Sequence, residues 1–363
     1  MTKYNDIKYT MLDGFVIHDC CIAGNDYFCV SAEKLLSEEE YDYYSKRGTT
    51  RIGIHNLEAQ KKGEPPIWAG RTWEGHSFFN TRLVNTEYKE YLMMDDAGQV
   101  FYGGLGDRKF IEDRIPPDQR CRQLTKVDDQ IYGIGFGRKI LKRIDHGQWE
   151  HLVPSEIRNA IPSGQAGFDD MHGFSETDLY AVGGKSDVWH YDGEQWRFVD
   201  ICDDPILPKA VCCAEDGFVY IACAHGVLVR GRGEDWEVYR PKKQLTKFTE
   251  IVSYQGKIFL GSEQGVFVLE QNATSLVYQP YDFEGQIYPI KARRLDVGHG
   301  LLLAASEYSV ALFDGQQWQY LYGGGPSPEE EAALLEQMVR DAEESVDALH
   351  DIADKLKSAK GQG

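Results

Sequence analysis

Gly173-Phe174-Ser175-Glu176-Thr177-Asp178-Leu179-Tyr180-Ala181-Val182-Gly183, followed by Val188-Trp189-His190-Tyr191-Asp192-Gly193-Glu194-Gln195-Trp196, decides the architecture. A polar turn leads into an apolar strand, a second strand follows, and Asp192-Gly193 supplies the positive φ angles of a tight hairpin before Trp196 opens an outer strand. The same succession returns along the chain. Its apolar strands are Ile131-Tyr132-Gly133-Ile134, Leu179-Tyr180-Ala181-Val182, Val219-Tyr220-Ile221-Ala222, Ile258-Phe259-Leu260-Gly261 and Leu302-Leu303-Ala304-Ala305, whose starts lie 48, 40, 39 and 44 residues apart. Four strands with their turns need roughly 40–45 residues, the length of one propeller blade.

The following strands keep step: Ile140-Leu141, Val188-Trp189-His190-Tyr191, Val227-Leu228-Val229, Val266-Phe267-Val268 and Val310-Ala311-Leu312-Phe313. Three of the five then carry an Asp, a Gly and a Trp: Asp145-His146-Gly147-Gln148-Trp149, Asp192-Gly193-Glu194-Gln195-Trp196 and Asp314-Gly315-Gln316-Gln317-Trp318. Gly233-Glu234-Asp235-Trp236 is a looser copy, and Leu276-Val277-Tyr278 stands where the remaining Trp would be. Upstream, Val100-Phe101-Tyr102-Gly103 and Tyr27-Phe28-Cys29-Val30 fit further blades, and Pro66-Ile67-Trp68-Ala69-Gly70 reads as the same strand in a poorer one. The expected fold is all-β, a β-propeller of four-stranded blades over residues 1–322, seven in number with six as the alternative count. Ring closure is expected to draw an N-terminal strand, Gly14–Cys20, into the final sheet, which removes an exposed edge.

Ser175, Asp178, Tyr180-Ala181-Val182-Gly183, His190-Tyr191-Asp192-Gly193 and Trp196 resemble the bacterial propeller repeat that reads S-x-x-D-V-Y-A-V-G … H-Y-D-G-x-x-W, with Leu179 in place of the Val. The likeness is close over one blade and partial over residues 121–322. It implies the fold alone: such repeats occur in sensors, secreted binding proteins and assembly factors, and no catalytic residue is carried across.

The formal net charge of −19 excludes a general affinity for nucleic-acid backbones. It keeps the protein soluble, and it also steers towards a basic protein partner. The eight cysteines form no CxxC pair and no zinc spacing, and several lie in apolar runs such as Val211-Cys212-Cys213-Ala214. They read as buried thiols of a reducing compartment. Phe15-Val16-Ile17 is cut short by His18 and Asp19, so no signal peptide is read, and no apolar run is long enough to span a bilayer. The expected location is the cytoplasm, away from membranes.

Two segments are additions to the ring. Ser31 to Tyr44 reads as an acidic helical insert, about 31–46, in which Glu38, Glu39, Glu40, Tyr41, Asp42, Tyr43 and Tyr44 form a candidate surface for a basic protein. The alternative is a solvated helix whose tyrosines pack on the blade. After the hinge at 323–328, Ser327-Pro328-Glu329-Glu330-Glu331 starts a helix over 329–358. Leu335, Val339, Ala342, Val346, Leu349, Ala353 and Leu356 alternate at spacings of four and three, a heptad seam that must pack on the propeller, on a second copy or on a partner.

Hydrolase, zincin and Walker motifs are absent. Gly133-x-Gly135-x-Gly137-Arg138-Lys139 lies between two strands and reads as a hairpin turn. Asp169-Asp170-Met171-His172 and Asp203-Asp204 fall on connections between blades. Asp203 and Asp204 are further candidates for partner binding, and Asp169, Asp170 and His172 are the set a metal-dependent lyase or lactonase would use. His190, His225 and His299 read as structural. No cofactor is expected. The leading reading is a non-enzymatic binding protein, an immunity protein that neutralises a basic secreted bacterial toxin of the polymorphic or type VI kind. The alternatives are the metal-dependent enzyme and an adaptor that dimerises through its C-terminal helix.

Overall fold

Leu179-Tyr180-Ala181-Val182 forms a fully buried strand: it has partners on both edges, and its alternate side chains pack against blade residues on either face of the sheet. Asp178–Gly183 pairs antiparallel with Asp170–Ser175 on one side and with Asp187–Tyr191 on the other, and Trp196–Phe198 adds the outer strand. Tyr180 lies opposite His190 with their rings stacked at 4.4 Å, and His190 Nε2 meets Asp178 Oδ1 at 2.8 Å. The Asp-Gly hairpin works through its side chain. Asp192 Oδ1 accepts the backbone N–H groups of Glu194 and Gln195, while Gly193 sits at φ 92°. Asp314 repeats this with Gln316 and Gln317 around Gly315.

In the computed structural model, residues 12–34, 48–60, 68–76, 82–86, 89–95, 97–104, 110–111, 115, 121–159, 167–241, 246–271, 273–281 and 290–323 are described. Their strands make seven sheets, each of four strands that are consecutive in the chain. Blades 1 to 7 span residues 15–74, 84–111, 123–151, 170–198, 208–239, 248–280 and 294–322. The first strand of each blade touches the first strands of its neighbours, and Phe15–Gly24 touches Arg294–Gly298, so the ring closes with the first strands innermost. The apolar cores lie between blades. Tyr180, Val182 and Val188 of blade 4 pack against Val211, Val219 and Ile221 of blade 5, and Phe28 and Val30 of blade 1 against Leu303, Leu312 and Leu321 of blade 7. Burial of this kind contributes roughly 25 cal/mol per Å² of apolar surface, so each blade is held chiefly by the next.

Several expectations need correction. Closure involves no borrowed strand: blade 7 takes all four strands from residues 294–322, and Phe15–Gly24, longer than the expected Gly14–Cys20, is the innermost strand of blade 1. The seam between blades 7 and 1 is held by facing cores and by hydrogen bonds, Trp68 Nε1 to Leu321 O at 2.9 Å and Ile17 N to Glu307 O at 2.9 Å. Val100–Gly104 is the third strand of blade 2 rather than its second, which is Glu90–Met94. Trp68–Glu74 is the outer strand of blade 1, so the segment at 66–70 makes no blade of its own. The acidic insert cannot begin at Ser31, because Tyr27–Lys34 is one strand that pairs Ser31 with Ile52 and Lys34 with Phe15. Helix propensity yields there to strand partners on both sides.

The chain divides into two compact units, Met1–Gly323 and Gly324–Gly363. The second unit, with the seam from Leu335 to Leu356, lies outside the described residues, as do Glu38, Glu39, Glu40, Tyr41, Asp42, Tyr43 and Tyr44. No helix among the described residues is long and apolar enough to cross a membrane.

Candidate partner-binding surfaces and the central channel

A four-stranded meander puts its turns at two ends. The turns between first and second strands and between third and fourth strands gather on one face of the ring. The turns between second and third strands, and the connections to the next blade, gather on the other. The innermost strands line a channel between the faces, with a cavity of about 510 Å³ bordered by residues of all seven blades.

Each innermost strand has one sheet edge with no strand to pair it, and at several blade boundaries a side chain of the neighbouring blade meets part of that need. Asp170 Oδ2 accepts the backbone N–H of Val211 at 2.9 Å, and Asp296 Oδ2 that of Ile22 at 2.6 Å. Asp19 Oδ2 accepts from Leu83 N. His172 Nδ1 accepts from Cys213 N at 3.2 Å, which requires that nitrogen to be unprotonated; burial holds the imidazole below its ordinary value, in agreement. Donors act in the same way: Thr125 Oγ1 bonds Met171 O at 3.1 Å and Thr249 Oγ1 bonds Arg293 O at 2.8 Å.

Two arginines sit among these carboxylates. Arg82 lies 3.0 Å from Glu250 and 3.6 Å from Asp170, and Arg294 lies 3.6 Å from both Asp19 and Glu250. Burial raises Glu250 and Asp19 above the usual carboxylate range, with the arginines opposing it. Burial also disfavours the charge on Arg82, but Glu250 and Asp170 outweigh it and keep the guanidinium protonated. Asp296 is pushed up to about 6 by burial. The network bridges blades across the channel.

The face carrying the inter-blade connections has a basic mouth. Six cations, Arg82, Arg122, Lys209, Lys247, Arg293 and Arg294, and one carboxylate, Asp169, line a cavity of about 170 Å³ there. Asp169 is shared by Arg122 and by Lys209, the latter at 2.8 Å, and Arg293 reaches Glu307 at 2.6 Å. Phe136 lies beside the mouth, 62% exposed, with the Arg122 guanidinium 4.7 Å over its ring. Leu207 and Tyr308 are exposed on the same face. The opposite face carries carboxylates at its turns, among them Asp128, Glu176, Asp192, Glu194, Glu215 and Glu234. A chain of net charge −19 thus keeps a basic centre on one end.

The structure separates residues that the sequence grouped. Asp170 and His172 lie on the innermost strand of blade 4, not on a connection, and both are engaged by backbone of blade 5. Asp169 faces the mouth and is held by cations. Among the described residues no group of three or more His, Cys, Asp or Glu side chains is arranged to hold a metal. Asp203 and Asp204 are exposed on the connection between blades 4 and 5, where Arg240 donates to the Asp204 carbonyl at 3.0 Å. The basic mouth is spread over several blades in the sequence. Its signal was a Lys or Arg within one residue of the start of the innermost strand in blades 3, 5, 6 and 7, at Arg122, Lys209, Lys247, Arg293 and Arg294.

Fold and surfaces together define a seven-bladed β-propeller, a fold that suits protein binding. No family model matches the chain. It is 28% identical over 253 residues to the immune protein Tsi7 of Pseudomonas aeruginosa, an alignment that covers 68% of this chain and 79% of that protein. Among solved structures it is similar to virginiamycin B lyase from Staphylococcus aureus, with a TM-score of 0.58 at 10% identity over 82% of this chain and 94% of that one. A structure of YCF48 bound to D1 peptide gives 0.55 at 12% identity over 82% and 93%. The WD40 propeller domain of Doa1 gives 0.53 at 13% identity over 81% and 90%. At such identities these structures speak to the fold alone.

Proposed function

We propose that this chain is an immunity protein that binds a secreted bacterial toxin and neutralises it in the cytoplasm. The observation that carries this reading is its similarity to an immune protein over 68% of its length, in a fold that presents two loop-bearing faces to a protein partner. Its eight cysteines are unbonded and seven are buried, which fits a reducing compartment. The partner as a whole is proposed to be basic, since a net charge of −19 and the carboxylate-bearing turns favour encounter with a cationic protein. The acidic insert after Lys34 and the heptad seam beyond Gly323 are proposed as additional contacts, the seam either with the partner or with a second copy of the chain.

Co-expression with a candidate toxin domain, sought first among the products of the neighbouring genes, tests the proposal. Rescue of growth, together with a complex of defined mass whose affinity falls as salt rises, is the expected result. Continued killing with no complex between the purified proteins would sink it.

A further inference from the structure

The mouth of the channel runs against the charge of the whole molecule, and that contrast identifies what it receives. Of its six cations, Arg82 and Arg294 are committed to Glu250, Asp170 and Asp19 inside the channel. The other four, Arg122, Lys209, Lys247 and Arg293, face three carboxylates: Asp169, divided between Arg122 and Lys209, and Glu307 and Glu263, both beside Arg293 at 2.6 and 3.9 Å. Lys247 is exposed and makes no ion pair among the described residues. The cavity therefore holds a surplus of positive charge, with the amide of Gln123 and the hydroxyl of Thr249 also in its wall. Phe136, backed by Arg122, and the exposed Leu207 and Tyr308 add apolar contact on the same face. Aromatic and arginine side chains around a recess are the composition of an interface centre, and desolvation there strengthens each charge pair.

We infer that this mouth, rather than the acidic turn face, grips the toxin, and that the toxin enters it with a loop bearing Asp or Glu side chains. The inference rests on the immunity reading. Net charge and the acidic turns steer a basic partner over long range, whereas the short-range contact is made by an element of opposite sign. An incoming carboxylate completes the coordination of Lys247 and joins Asp169 on Arg122 and Lys209, while Phe136 packs against the stem of the loop.

The test uses the full chain and an inactive form of the toxin domain that the chain neutralises in the co-expression experiment, with affinity read by calorimetry. Lys209→Gln combined with Lys247→Glu leaves Asp169 its Arg122 partner and is expected to weaken binding about tenfold or more. Phe136→Ala, at an exposed ring, is expected to weaken it about fivefold by lost contact alone. Glu194→Lys combined with Glu234→Lys, two exposed turns on the opposite face, should stay within about threefold of the native chain. Thermal melts of all variants report whether each ring is intact. Native-like melting and native affinity in the mouth variants would overturn the inference, as would an equal or greater loss in the turn-face pair. No binding by the native chain itself would instead refute the immunity reading.

Discussion

Asp170, on the innermost strand of blade 4, accepts the backbone N–H of Val211 on the innermost strand of blade 5 at 2.9 Å. The relationship crosses a blade boundary, and through it a side chain does the work that a neighbouring strand does elsewhere in a sheet.

Asp170→Ala strands that buried N–H, and it also leaves Arg82 with one carboxylate fewer. The expected cost is about 1–3 kcal/mol, and Asp170→Asn, which keeps an acceptor oxygen, should cost less. Urea denaturation midpoints report the difference. A loss below about 0.5 kcal/mol for the alanine variant would show the latch to be dispensable.

Stability should fall between about pH 4 and pH 6 through Asp296. Its folded value is raised to about 6 from 3.8, so the folded state holds the proton more tightly than the unfolded chain does. The contribution is present below the unfolded value and is lost as pH rises through 6. Asp296→Asn keeps the acceptor for the Ile22 N–H while removing the charge. It should match the native chain at pH 4 and exceed it at pH 7.5 by about 1–2 kcal/mol, less than the full shift implies because the channel leaves Asp296 partly open. Parallel pH curves for the two proteins would contradict this.

Two glycines with different surroundings separate packing from backbone freedom. A Cβ on Gly183 would lie 2.6 Å from the backbone nitrogen of Asp169 and closer still to the Gly167 carbonyl, atoms that cannot move without disturbing blade 4. Gly137 has φ +67° and open space around it. Gly183→Ala is therefore expected to destabilise by about 3 kcal/mol or prevent folding, and Gly137→Ala by about 1 kcal/mol. Thermal unfolding followed by circular dichroism would show the order, and equal losses would refute it.

Trp68→Phe removes the indole N–H that Leu321 O accepts across the seam between blades 7 and 1 while leaving most of the buried ring. About 1–3 kcal/mol should be lost. Limited proteolysis should also show earlier cutting near the seam than in the native chain, because the opening boundary is the one that lost its bond. Unchanged cleavage would place the weakest boundary elsewhere.

The parts of this fold that could be read from the sequence are local ones. Asp192-Gly193 and Trp196 announce a hairpin and an outer strand within five residues, because the turn is made by Asp192 and its nearest amides. Leu276-Val277-Tyr278, with no Trp, was still recognisable as belonging to blade 6: Leu276 is buried and Tyr278 packs on Phe248 and Phe267. Ser31 to Lys34 misled because helix-favouring composition outlasted the strand signal, whereas Phe15–Gly24 and Thr49–Asn56 supply pairing on both sides. Closure is not legible because an exposed edge suggests a missing strand, whereas Asp296 and Trp68 bond across the seam by side chain. The mouth was invisible for a different reason. Arg122, Lys209, Lys247 and Arg293 belong to four blades, and only the ring brings them around one opening.

Every blade here is made from one uninterrupted run of chain. A cut at any inter-blade connection therefore falls between finished units, and a segment lifted out between two such cuts brings its own turns to both faces. Recombination can exchange a blade as a cassette, altering what the ring displays without orphaning a strand in its neighbour. For a protein proposed to neutralise a toxin, that modularity offers a route to new specificity in single steps of about forty residues.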